Sequence, residues 1–165
     1  MKRNSLYISH AAIIAALYVV LTLLSSLFGL DKGIVQFRLS EALCVLPVLT
    51  QAAVPGLFIG CLVANLLCGA VPLDIVFGSI ATLIGAVFGR MLGKKVKWLT
   101  PLPSVAANTL VVPAMLKYAY GLSGAFPYFA FTVFLGELVC GWVLGLILLY
   151  ALPEKIVSMI RKSDT

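Results

Sequence analysis

Two acidic residues and an amide lie where an apolar chain has no ordinary use for them. Glu137, in FLGELVCGW, is set inside an apolar segment. A charged side chain at that depth costs about 2.5–3.5 kcal/mol on insertion scales, so such residues usually face a cavity or a partner. Gly136 precedes it and Gly141 follows at i+4, leaving room on the helix surface beside the carboxylate. Asn108, in PSVAANTLVVPAMLKY, brings a second polar group, expensive in hydrocarbon unless paired. Pro113 lacks the N–H that would bond the carbonyl of Thr109, which adds a bend and another polar group at similar depth. These residues have the chemistry of a hydrogen-bonding solute site. The bland alternative is a pair of helix–helix hydrogen bonds.

Arg38 and Glu41, in KGIVQFRLSEALCVLP, stand three residues apart at the edge of another apolar run. They read either as a surface ion pair, worth about 0–1 kcal/mol, or as one wall of a site. If a helix starts near Ser40, that serine caps it and Glu41 falls in the favoured first turn. Asp74, in AVPLDIVFGS, is open in the same way between a helix-start acid and a site carboxylate. Lys117, Tyr118 and Tyr120, with Phe126, Tyr128 and Phe129 beyond them, form either an interfacial aromatic belt or the roof of a pocket for a flat ligand.

The elements that must hold these residues are membrane helices. The 165-residue chain is 62% hydrophobic and 11% charged, with a mean hydropathy of +1.11. A soluble domain of this size cannot hide so much apolar surface. Apolar segments fall at about 9–29, 40–52, 55–70, 73–92, 101–119 and 126–150, broken by Gly, Pro and charge. The first, from Ala11 to Leu30, has spanning length and is too long for a signal-peptide core. The expectation is a single domain over 1–165: an all-α integral membrane protein, a compact bundle of six transmembrane helices. The second and third helices are short, and Pro47 tilts, kinks or folds back the second.

Nine of the twelve Lys and Arg residues fall on the side of the termini; Lys32, Arg38 and Lys117 fall on the other. The positive-inside rule therefore predicts cytoplasmic termini in a cell-membrane protein. The net charge of +6 is then an orientation signal and a contact for anionic lipid, weak support for nucleic acid. Cys44, Cys61, Cys68 and Cys140 lie in apolar runs with no CxxC pair and read as packing residues, so no metal or cofactor is expected. His10 reads as an interfacial residue. GRMLGKK misses a phosphate loop by one residue of spacing and by Lys95 where Ser or Thr belongs. Without HExxH or a Ser/His/Asp set, an enzyme is not expected.

Small residues at helical spacing, among them Ala11, Ala12, Ala15 and Ala16, then Gly56 and Gly60, then Gly85, Gly89 and Gly93, allow close helix approach inside the chain or with another. The first helix, HAAIIAALYVVLT, resembles that of substrate-binding S-components of energy-coupling factor (ECF) transporters. VQFRLSEALCVLP, GLFIGCLVANLLCG, PLDIVFGSIATLIGA and GELVCG resemble the QueT family of queuosine-precursor transporters. The resemblance implies a subunit that binds its solute on the outer side. It implies partnership with a transmembrane coupling subunit and two cytoplasmic ATPases, with Ala11, Ala12, Ala15 and Ala16 facing the coupling subunit.

The implied substrate is a queuosine precursor or related 7-deazaguanine: 7-aminomethyl-7-deazaguanine, queuine or queuosine. Its adjacent ring N–H and amine donors match a carboxylate, for which Glu137 is the choice. Asn108 suits the carbonyl or ring-nitrogen side, and Glu41 or Asp74 a cationic arm. The ring lies on Tyr118, Tyr128 or Phe37, or on the Arg38 plane; Lys117 completes the candidate set. The alternatives are an S-component for another vitamin and a structural membrane protein.

Overall fold

The computed structural model describes residues 3–31, 35–121 and 123–161, all of whose regular elements are helical. Lys2, Lys32, Lys162 and Asp164 of the charge count lie outside the described residues. Helix α1 is Arg3–Leu27. A 3-10 helix, Leu39–Val48, follows, then α2, Ala53–Leu67, and α3, Pro72–Gly93. A 3-10 turn at Lys97–Leu99 leads into α4, Leu102–Ala114, which widens into a π-helix at Met115–Ala119. Helix α5, Phe126–Glu137, passes through a π-helix at Leu138–Leu144 into α6, Gly145–Ala151. An amphipathic α7, Glu154–Arg161, which the sequence reading did not identify, ends the described chain.

Four continuous helical stretches are long and apolar enough to cross a membrane: Asn4–Leu27, Pro72–Gly93, Lys97–Ala119 and Phe126–Ala151. They carry many large apolar side chains outward, Ile13, Phe77, Phe88 and Phe131 among them, as a lipid-facing surface requires. The two remaining segments, Leu39–Val48 and Ala53–Leu67, are shorter. Six apolar segments are thus present at close to the expected positions, four of them with spanning length.

The second segment differs in kind from the expectation. It is an extended 3-10 helix with Pro47 inside it. At about 2.0 Å rise per residue, its 10 residues reach about as far as the 15 residues of α2 at about 1.5 Å. A 3-10 helix also eclipses side chains at i and i+3. That puts Glu41 and Cys44 on one edge, where the Cys44 thiol donates to Glu41 Oε2 at 3.2 Å. Leu43 and Leu46 form a second edge in the apolar core. Ala42 and Val45 form a third against Gly145, whose missing Cβ would lie 2.9 Å from Val45 Cγ1.

This central segment runs back down α1. The Leu39 N–H donates to Ser25 Oγ at 3.0 Å, Thr22 Oγ1 donates to Ser40 Oγ at 2.9 Å, and Tyr18 pairs with Glu41. Ser40 is therefore not the cap of this helix; a serine of α1 satisfies its first N–H instead. Helix α2 then runs parallel to α1 through a seam of small residues. A Cβ at Gly60 would lie 2.8 Å from Tyr18 Cβ and 3.0 Å from the Ala15 carbonyl. Close backbone approach of this kind gives dispersion contacts where lipid supplies no hydrophobic drive.

Candidate functional site

Glu41, Asn108 and Glu137 come from three distant parts of the chain and meet in the bundle interior. Glu41 is 2% exposed, which removes the surface ion-pair reading. Its Oε1 accepts the Tyr18 hydroxyl at 2.6 Å, and its Oε2 accepts the Cys44 thiol at 3.2 Å and Asn108 Nδ2 at 3.3 Å. The same Asn108 nitrogen donates to Glu137 Oε1 at 3.0 Å. The amide thereby spends its two N–H groups on two carboxylates. Glu137, 8% exposed, keeps Oε2 with no hydrogen-bond partner among the described residues.

Local structure explains this placement. Glu137 is the last α-helical residue before the π-helix Leu138–Leu144, and such widened turns frequently mark functional positions. Gly141 leaves the space expected of it: a Cβ there would stand 3.4 Å from the unpaired Glu137 Oε2 and 3.8 Å from Glu41 Cβ. Gly136 lets the 35–38 segment reach α5, since a Cβ there would collide with the Gln36 carbonyl oxygen. Pro113 is buried within α4, and the π-helix Met115–Ala119 begins two residues later. The bend expected from Pro113 thus coincides with a change of helix type.

Two cavities that share a wall surround the acids. The inner one is lined by Arg38, Glu41, Thr82, Asn108 and Glu137, with a space of about 20 Å³, room for one water. The outer one has a volume of about 380 Å³, within the range of small-molecule sites. Asp31, Asn65, Asp74 and Tyr120 line it, and Gln36, Arg38 and Val112 line both. Asp74 is a first-turn acid of α3 and a cavity residue at once. Its Oδ2 accepts the Tyr120 hydroxyl at 2.9 Å, and the Tyr120 oxygen accepts the Val71 N–H at 3.4 Å. Burial and the Asp74 carboxylate push the Tyr120 phenol above its ordinary pKa, so it remains a donor.

Glu137, Asn108, Glu41, Arg38 and Asp74 therefore line a common pair of cavities. The aromatic candidates do not join them. Tyr118 is 74% exposed, with Lys117 Nζ 5.6 Å above its ring, and Tyr128 is exposed beside Phe129. Phe37 is half-buried, its N–H donating to the Leu30 carbonyl at 2.9 Å; neither it nor Lys117 lines either cavity. The alanine ladder divides: Ala11 and Ala15 are half-buried along the α2 seam, and Ala12 and Ala16 are exposed.

Sequence reasoning missed Tyr18, Cys44, Cys61 and Thr82. Cys44 and Cys61 are more than packing residues, because Cys61 Sγ accepts Thr82 Oγ1 at 3.3 Å and Cys44 donates to Glu41. The signal for Tyr18 was its place at mid-span, away from the interfaces where tyrosines collect. His10 lines an apolar groove near α7, with Nδ1 buried and unpartnered among the described residues.

The geometry suits a small solute rich in N–H donors. Residues 8–154 match the sequence profile described as QueT transporter. Over 98 residues the chain is 34% identical to the queuosine precursor transporter QueT of Lactococcus lactis subsp. cremoris (strain MG1363). That match covers 59% of this chain and 57% of the relative's length. No solved structure matches. With a profile match running through nearly all of its helices and a carboxylate-lined cavity in its interior, the chain belongs to the QueT family, a family of transporters and not of enzymes.

Proposed function

We propose that the protein is the substrate-binding membrane subunit of an ATP-driven ECF-type importer that takes up a queuosine precursor or related 7-deazaguanine. The observation that carries this reading is the unpartnered, buried Glu137 Oε2 beside the Asn108-bridged acids. A 7-deazaguanine offers a ring N–H and an exocyclic amine side by side, and a carboxylate accepts both. Both Asn108 N–H groups are engaged by carboxylates. Its role is therefore to fix those acids, and only its oxygen remains to face the ligand. The inner space admits a water and not a ring, so the solute enters from the outer cavity and displaces the 36–38 segment from between the two.

A cationic aminomethyl arm has a second carboxylate within the outer cavity, Asp74. The Arg38 guanidinium, which lines both cavities, takes the place of the exposed tyrosines as the surface on which the flat ring lies. The chain lacks a phosphate-loop motif, so separate ATPases would supply the energy through a membrane-embedded coupling subunit. The exposed Ala12 and Ala16 edge of α1 is the surface offered to that subunit. The termini are assigned to the cytoplasm by the positive-inside rule.

Calorimetric titration of the detergent-purified protein with guanine, 7-aminomethyl-7-deazaguanine, queuine, queuosine and several vitamins tests the reading. Tight binding of one deazaguanine with guanine rejected is the expected result. Binding of a vitamin with silence across the deazaguanines would overturn the substrate assignment.

A further inference from the structure

A cavity of about 260 Å³ lies at the opposite end of the bundle from the solute vestibule, between the starts of α1 and α2 and the end of α3. Val87, Arg90 and Met91 of α3 and Lys94 at its C-terminal cap form one stripe, at spacings of three and four that share a helix face. The stripe is graded: apolar at Val87 and Met91, cationic at Arg90 and Lys94. It covers about 10 Å along the axis at about 1.5 Å per residue. Val54 adds an apolar wall and Tyr7 a hydroxyl. Val87 and Met91 are 40% and 60% exposed, so the cavity opens on the lipid-facing side of the helix. Arg90 Nη1 donates to the Pro47 carbonyl at 2.7 Å, which fixes the guanidinium at the end of the 3-10 helix.

We propose that this cavity binds the phosphate headgroup of an anionic phospholipid. Lys94 and Arg90 set the positive potential at the phosphate, Tyr7 offers a hydroxyl to its oxygens, and Val54, Val87 and Met91 take the first methylenes of an acyl chain. Basic recesses between membrane helices recognise anionic headgroups in this way. A topology signal alone needs charge beyond the helix end; it needs neither a cavity nor an apolar floor running into the bilayer. The proposal is independent of the solute assigned above.

Native mass spectrometry of the delipidated protein, titrated with equal amounts of phosphatidylglycerol and phosphatidylcholine, tests it. Phosphatidylglycerol should be retained at least about fivefold more. Lys94→Gln should abolish most of that preference, whereas Lys95→Gln, an exposed neighbour outside the cavity, should leave it unchanged. Lys94 carries the test because Arg90 also supports Pro47, and a matching elution profile on size exclusion confirms that the variant is folded. Equal retention of the two lipids would overturn the proposal, as would equal loss in both lysine variants, the mark of a diffuse basic surface. Displacement of phosphatidylglycerol by millimolar inorganic phosphate would show a small-anion site and overturn the lipid assignment. Release of phosphatidylglycerol by an acidic peptide but not by neutral lipid would assign the recess to a protein partner instead.

Discussion

Asn108 Nδ2 stands 3.3 Å from Glu41 Oε2 and 3.0 Å from Glu137 Oε1, so one amide of α4 holds a carboxylate of the 3-10 helix to one of α5. The bridge joins elements 67 and 29 residues away in the chain. Removing it leaves two buried acids facing each other without their shared donor. Glu41 keeps Tyr18 and Cys44 as donors, whereas Glu137 Oε1 loses its own, so Asn108→Leu should lower the thermal midpoint by the equivalent of about 1–3 kcal/mol. Asn108→Asp, which adds a third carboxylate, should be worse. A scanning-fluorimetry midpoint unchanged in both variants would contradict the bridge.

Gly136 sets how closely the 35–38 segment can approach α5, because its Cβ position is occupied by the Gln36 carbonyl oxygen. Gly136→Ala must push that backbone away and take Arg38 with it. The expected outcome is weaker solute binding together with a lower thermal midpoint. Gly141→Ala has more room, with Glu137 Oε2 at 3.4 Å. It should reduce affinity while leaving the midpoint close to that of the parent. Equal effects of the two changes, measured by calorimetry and fluorimetry on the same samples, would count against this division.

Tyr120 ties the end of the α4 rod to the start of α3 through Asp74 and the Val71 N–H. Its phenol is pushed above the ordinary value by burial and by Asp74. The native state therefore keeps a proton that the unfolded chain loses near pH 10. The stability this contributes is complete below about pH 10 and declines as pH rises from there toward the folded pKa. Tyr120→Phe should remove that alkaline component and speed solute release from the outer cavity. Stopped-flow dissociation rates equal to the parent's would show that the hydroxyl does not restrain the vestibule.

Ala12 and Ala16 are exposed on α1, whereas Ala11 and Ala15 lie against the α2 seam. Ala12→Trp should leave solute binding intact and impair assembly with the coupling subunit proposed above. Ala15→Trp should disturb the α1–α2 packing itself. Co-purification with the coupling subunit separates the two, and full assembly of the Ala12→Trp protein would remove this edge from the interface.

The parts of the candidate site that were legible in the sequence are those where polarity breaks an apolar run. Glu137 and Asn108 stood out for this reason, and Gly141 pointed to the space beside the carboxylate. Glu41 was visible as an acid but ambiguous in role, because burial by Tyr18, Cys44 and Asn108 depends on contacts across the fold. Tyr18, Cys44 and Cys61 resemble apolar packing residues until a carboxylate or hydroxyl is placed beside them. The order of the long helices followed from hydropathy, although α1 starts at Arg3, ahead of the apolar run expected from about residue 9. The 3-10 character of Leu39–Val48 did not, since its apolar pattern and Pro47 are equally compatible with a kinked or re-entrant α-helix. The outward position of Tyr118 and Tyr128 depends on the rotation of their helices, to which residue type at a membrane boundary gives little guide.

The most direct measurement is calorimetric titration of the parent and Glu137→Gln proteins with the preferred 7-deazaguanine. The amide presents an N–H donor where Oε2 is needed as an acceptor. The parent should bind, and the variant should bind at least about 100-fold more weakly with an unchanged elution profile. A folded Glu137→Gln protein that binds as tightly as the parent would contradict the assignment of Glu137.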